Sequence, residues 1–152
     1  MDPSICRLSA SLTFNTQIAW NFVILLILLA FSAYFSASET AFSTLNRIRI
    51  KNLAADGDKK AAKVLALTEK YDRLLSTILV GNNIVNIAAS ALATVTASQI
   101  SDHNMAITVS TAVLTVAVLI FGEITPKSLA KDSAERFAMF SAPFMQIGRA
   151  HV

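Results

Sequence analysis

No charged residue stands between Arg7 and Glu39, and residues 18–37 are dense in Ile, Leu, Val, Phe and Ala. A helix needs about 20 such residues to cross the hydrocarbon core of a bilayer, so this run by itself argues against a soluble fold. A second uncharged stretch covers residues 74–101, softened by Ser, Thr and Asn, and a third covers residues 104–122. The expected fold class is an all-α membrane protein with three transmembrane helices. A content of 54% hydrophobic and 15% charged residues agrees with it.

Lys and Arg in the connections set the expected orientation. Residues 47–73 hold eight of them, at 47, 49, 51, 59, 60, 63, 70 and 73, which marks this loop as cytoplasmic. An external N-terminus, an external turn around Asp102 and His103, and an internal segment with Lys127, Lys131 and Arg136 complete the path through a plasma (inner) membrane. The net charge of +3 then belongs to the inner surface, facing anionic headgroups of the lipid bilayer. Topology accounts for the basic residues, so no nucleic-acid partner is expected. Cys6 is the single cysteine, which leaves neither an internal disulfide nor a thiolate metal site. Ser36-Ala37-Ser38 resembles a signal-peptide cleavage site, but Asp2 in the leading segment and an apolar run longer than a signal core argue for a retained helix.

Between the first two spans, residues 47–55 and 59–75 have helical spacing with a turn at 54–58, which predicts a cytoplasmic helical hairpin. Val64, Leu65, Leu67, Tyr71, Leu74 and Leu75 form its apolar stripe. Residues 137–146 are apolar, too short to span and interrupted by Pro143, which predicts a short juxtamembrane helix along the inner interface. The last six residues, 147–152, can be encoded by a common sequencing-adapter run. They read as a non-native tail, leaving residues 1–146 as one transmembrane domain cut before whatever follows in the natural protein.

Three polar constellations interrupt the apolar stretches: Ser36-Ala37-Ser38-Glu39-Thr40, Gly81-Asn82-Asn83-Ile84-Val85-Asn86 and Gly122-Glu123-Ile124-Thr125-Pro126-Lys127. A carboxylate near membrane depth costs roughly 2.5 to 3.5 kcal/mol on the lenient insertion scale and so usually faces a protein interior or an ion path. On the first helix Ser32, Ser36, Glu39 and Ser43 share one broad face. Their hydroxyls either bond back to the preceding turn or offer oxygen ligands. Glu39 serves the same face or pairs with Arg47 or Lys127 at the interface. On the second helix Asn82, Asn86 and Ser90 follow at i, i+4 and i+8, while Asn83 points about 100° away from Asn82, toward another helix or the headgroups. These amides bind a cation through oxygen or hold helices together. On the third helix Pro126 has no N–H and its ring displaces the Gly122 carbonyl, leaving a free backbone oxygen beside the Glu123 carboxylate. Hydroxyls, amides, a carbonyl and one or two carboxylates suit Mg2+, Ca2+ or Na+ and disfavour zinc or copper.

Taken together, these motifs resemble the transmembrane domain of the cyclin-M and CorC magnesium transporters (CNNM/CorC), also called hemolysin-C-like. The resemblance implies a homodimer of three-helix chains, each with a juxtamembrane helix, that exports Mg2+ in exchange for Na+. It also implies a largely dehydrated Mg2+ held by Ser32, Ser36, Asn82, Asn86, the Gly122 carbonyl and Glu123. Pro126 would shape that site, with Gly81 beside the asparagines, and Lys127 would end the helix. Members of this family continue into cytosolic CBS modules, so such a region is expected to follow in the full-length protein. The competing reading is a non-transporting membrane anchor or ion sensor for such modules. An enzyme is not expected, because a lone Glu without a nucleophile, a His or a second metal gives no reaction its groups.

Overall fold

The computed structural model describes residues 3–100 and 104–149, all but a few of them helical. The turn expected at Asp102 and His103 lies outside the described residues. Helix α1 (Pro3–Thr44) is followed by the short helices α2 (Arg47–Ala55) and α3 (Lys59–Thr68) and by the long α4 (Tyr71–Ile100). Helix α5 (Asn104–Val118) passes through a π-helical segment (Leu119–Ile124) directly into α6 (Thr125–Asp132), and α7 (Ala134–Arg149) closes the described chain. Among the described residues, three helical stretches are long and apolar enough to cross a membrane: Asn15–Thr44, Tyr71–Ile100 and Ile107–Asp132. Trp20, Leu26, Ile84, Ile87, Val113 and Phe121 lie exposed on them, as side chains solvated by lipid would.

The helix α1 organises the bundle, for α4, the π segment, α6 and α7 all pack on it. Gly81 allows the approach of α4: a Cβ there would stand 2.8 Å from the Phe35 ring, closer than carbon atoms can come. On α7 the face made of Ala134, Ala138, Ser141, Ala142 and Met145 is buried, so its backbone seats closely against α1 and α3. Phe140 and Phe144 point outward from the opposite face. The hairpin is fixed by its caps. Asn46 Oδ1 accepts from the N–H groups of Ile48 and Arg49, and Asp58 Oδ1 from those of Lys60 and Ala61. Gly57, at φ 96°, takes the left-handed conformation that the turn between them requires.

Three expectations need correction. The second hairpin helix ends at Thr68 rather than running to residue 75, and Leu74 and Leu75 belong to α4. One straight helix could not seat Val64 and Leu67 where α3 packs on α7 and also aim Leu74 and Ile78 along the spanning helix; the chain breaks at Glu69 and Lys70. Pro143 does not interrupt α7, which continues past it to Arg149. Nor does Lys127 end the third helix, which runs on to Asp132. Pro126 falls in the first turn of α6, where a missing N–H is tolerated, and the N–H of Thr125 reaches back to the Ile120 carbonyl in π register.

Candidate cation site between α1, α4 and the π segment

Ser32 and Ser36 lie one turn apart on α1, 1% and 0% exposed, and face the π segment. The Ser32 hydroxyl stands 2.7 Å from Asn86 Oδ1 and 3.3 Å from the Gly122 carbonyl oxygen. It has one proton to give to those two acceptors. Pro126 cannot donate to the Gly122 carbonyl, so this oxygen is free to face α1, as the Gly-Glu-x-x-Pro order led us to expect. Gly122 eases this approach, because a Cβ would lie 3.0 Å from both Ser32 Oγ and Leu29 Cδ1 and would push them aside by a few tenths of an ångström. One turn further along, the Ser36 hydroxyl donates to the backbone carbonyl of Glu123 at 3.2 Å. Asn82, one turn from Asn86 on α4, is 7% exposed, and its buried Oδ1 has no hydrogen-bond partner. A buried acceptor without a donor costs about 1 to 3 kcal/mol, which a bound cation would relieve.

The six nominated ligand residues thus come from three elements, α1 and the α4 and π segments that both pack on it, and lie along the C-terminal half of α1. The remaining candidates separate. Ser43 is exposed near the end of α1 and donates to the Thr40 carbonyl. Asn83 is exposed, and so is Ser90, while its neighbours Ala89 and Ala93 are buried. Two i+4 steps overshoot full turns by about 80°, which carries Ser90 off the face that Asn82 occupies. Arg47 does not pair with Glu39; its guanidinium lies 5.0 Å from the centre of the Tyr71 ring. Lys127 takes Glu39 instead, at 3.3 Å, and holds Glu123 at 3.0 Å with the same ammonium.

Sequence reasoning missed the Glu123 main-chain carbonyl, which no side-chain pattern announces. It also missed the double role of Lys127, although the i, i+4 spacing from Glu123 was there to be read. A further polar contact, Asn21 Nδ2 donating to Gln99 Oε1 at 3.1 Å, joins α1 to α4 toward their other ends. Among the described residues no group of three or more His, Cys, Asp or Glu converges as a metal site would. The oxygens here are hydroxyl, amide, carbonyl and a carboxylate paired with Lys127.

Residues 23–149 match the family described as the Cyclin M transmembrane N-terminal domain, CNNM. The chain belongs to the CNNM family. This CNNM domain is 48% identical over 122 residues to a UPF0053 protein of Haemophilus influenzae, covering 80% of the chain and 29% of that relative. It is 47% identical over 108 residues to the UPF0053 inner membrane protein YfjD of Escherichia coli, covering 70% and 25%. A chloroplastic DUF21 domain-containing protein of Arabidopsis thaliana is 40% identical over 116 residues, covering 76% and 18%. The chain therefore spans less than a third of the length of these relatives. All of the motifs that build the site fall inside the matched range.

Proposed function

We propose that this CNNM domain carries a hard divalent cation, Mg2+, across the membrane in exchange for Na+. The observation that carries the reading is the surplus of acceptors over donors: Asn86 Oδ1 and the Gly122 carbonyl compete for the single Ser32 hydroxyl proton, and one turn from Asn86 the buried Asn82 Oδ1 has no partner. Helices that needed only to adhere would match donors to acceptors, whereas a site for a dehydrated cation needs oxygens to spare. With few carboxylates the ion's charge is incompletely neutralised, which keeps affinity modest and lets the ion leave. Broken helical register at membrane depth is also where transporters place their ion sites.

In this reading the basic hairpin of α2 and α3 faces the cytoplasm, the N-terminus lies outside, and two chains pair as a homodimer. That the E. coli relative is named an inner membrane protein supports an inner-membrane location, and the greater length of the relatives leaves room for cytosolic regulatory modules of the CBS type. The test is thermal unfolding of the detergent-purified chain with and without millimolar Mg2+, because a ligand of the folded state raises its stability. The expected result is a chain that gains stability in Mg2+ and a Glu123→Gln variant that folds but loses the gain. Equal behaviour of two folded samples would favour a membrane anchor in which the polar residues serve only helix contacts.

A further inference from the structure

The carboxylate that this cation reading assigns to the ion is already held by a cation belonging to the chain. Lys127 Nζ lies 3.0 Å from Glu123 Oε1, one turn away on the same continuous helix, and 3.3 Å from Glu39 Oε2 on α1. A metal ion and an ammonium at contact distance on one carboxylate repel each other, so each weakens the other's hold. Lys127 has a second carboxylate within reach, and its flexible four-carbon stem lets the ammonium transfer without moving the backbone. All three side chains are about a third exposed, at 34% for Lys127, 34% for Glu123 and 28% for Glu39, so the exchange meets no packed obstacle. The charges also fit: two carboxylates and one ammonium leave one negative charge to attract a divalent ion.

We propose that Lys127 is a tethered competitor of the transported cation. It neutralises Glu123 whenever no ion does, moves wholly onto Glu39 when an ion takes Glu123, and returns as the ion leaves. The proposal rests on the Mg2+ reading above. It differs from a static brace between α1 and α6 in the sign of its consequence, since losing a brace weakens ion binding and losing a competitor strengthens it.

The experiment is a MgCl2 titration followed by thermal unfolding of the detergent-purified chain, with the half-saturating concentration as readout. Partly exposed ion pairs are individually weak, so Lys127→Met is expected to lower that concentration about three- to tenfold, while Lys127→Arg, which keeps the charge, leaves it near the original value. Glu39→Gln removes the place to which the ammonium withdraws and raises the half-saturating concentration. That increase shrinks in the Lys127→Met background, where no ammonium remains to be received. An unchanged or raised value for Lys127→Met in a chain that does respond to Mg2+ overturns the competitor alone, as does a Glu39→Gln effect of equal size in both backgrounds. No Mg2+ response in the unaltered chain overturns both the competitor and the reading beneath it. If Lys127→Met does not fold, the Glu39→Gln titration decides, because a fall or no change there also contradicts the competitor.

Discussion

Helix α1 meets two different kinds of partner along its length. Toward its C-terminal end Ala37, Ala41 and Phe42, with Leu45 just beyond it, join Ile50, Val64, Leu67, Ala138 and Ala142 in one apolar cluster. A few residues earlier, Ser32 and Ser36 meet Asn86 and the carbonyls of Gly122 and Glu123 through hydrogen bonds. The first region gathers α2, α3 and α7, which lie outside the spanning stretches, so removing apolar surface from water can drive it. Between spanning helices that force is absent, since lipid is as apolar as leucine, and close approach with polar contacts must do the holding. The apolar region is closed by side-chain packing around a buried Ser38 hydroxyl, while the polar region keeps the Asn82 amide oxygen unmatched. We read the first as the source of stability and the second as a site held open for a ligand.

That division can be broken most forcefully at Phe42, which is 2% exposed. Phe42→Ala should cost about 3 to 5 kcal/mol of stability, as large-to-small changes in packed cores do. The loss should be the same with and without Mg2+ in thermal unfolding. A mutant that stayed stable but lost its response to Mg2+ would show that the two regions are one.

Next in size is Ala138→Leu, which inserts three carbons into a face at 0% exposure. Overpacking of this kind costs about 1 to 3 kcal/mol. It should loosen α7 from α1 and leave the Mg2+ increment intact, because Ala138 lies among the apolar residues and touches none of the site oxygens.

Asn86→Ala inverts the pattern. Its interhelical bond to Ser32 is worth only about 0.6 to 1.7 kcal/mol by the measure of similar bonds in membrane bundles. Stability in the absence of Mg2+ should therefore fall slightly while most of the Mg2+-dependent gain disappears. A large fall with the gain preserved would place Asn86 with the structural residues.

How much of this was legible in the sequence follows from the same contrast. The spans, the hairpin and the three motifs were legible because charge and apolarity along one chain report directly on the bilayer. The break at Glu69 and Lys70 was not, since it depends on where α3 and α4 find their separate partners in space. Lys127, the residue after Pro126, was read wrongly as the end of the helix. A proline removes a donor wherever it sits, yet whether the helix continues depends on the register before it, and here a π turn absorbs the defect. The pairing of Lys127 with Glu39 was only one of two options from sequence, because it needs the crossing of α1 and α6 to bring the two charges together.

The smallest expected effects fall on Ser43 and Ser90, which sequence periodicity placed beside the site and the structure exposes. Ser43 donates its hydroxyl to Thr40 on its own helix, and the main-chain carbonyl of Ser90 accepts from Thr94, so neither contact joins two helices. Alanine at either position should change stability by less than about 0.5 kcal/mol. The half-saturating Mg2+ concentration should not move. If Ser90→Ala alone shifted it, the surface of α4 beyond Asn86 would have to be covered in the working assembly, and the face that lipid is taken to solvate there would belong to a second chain instead.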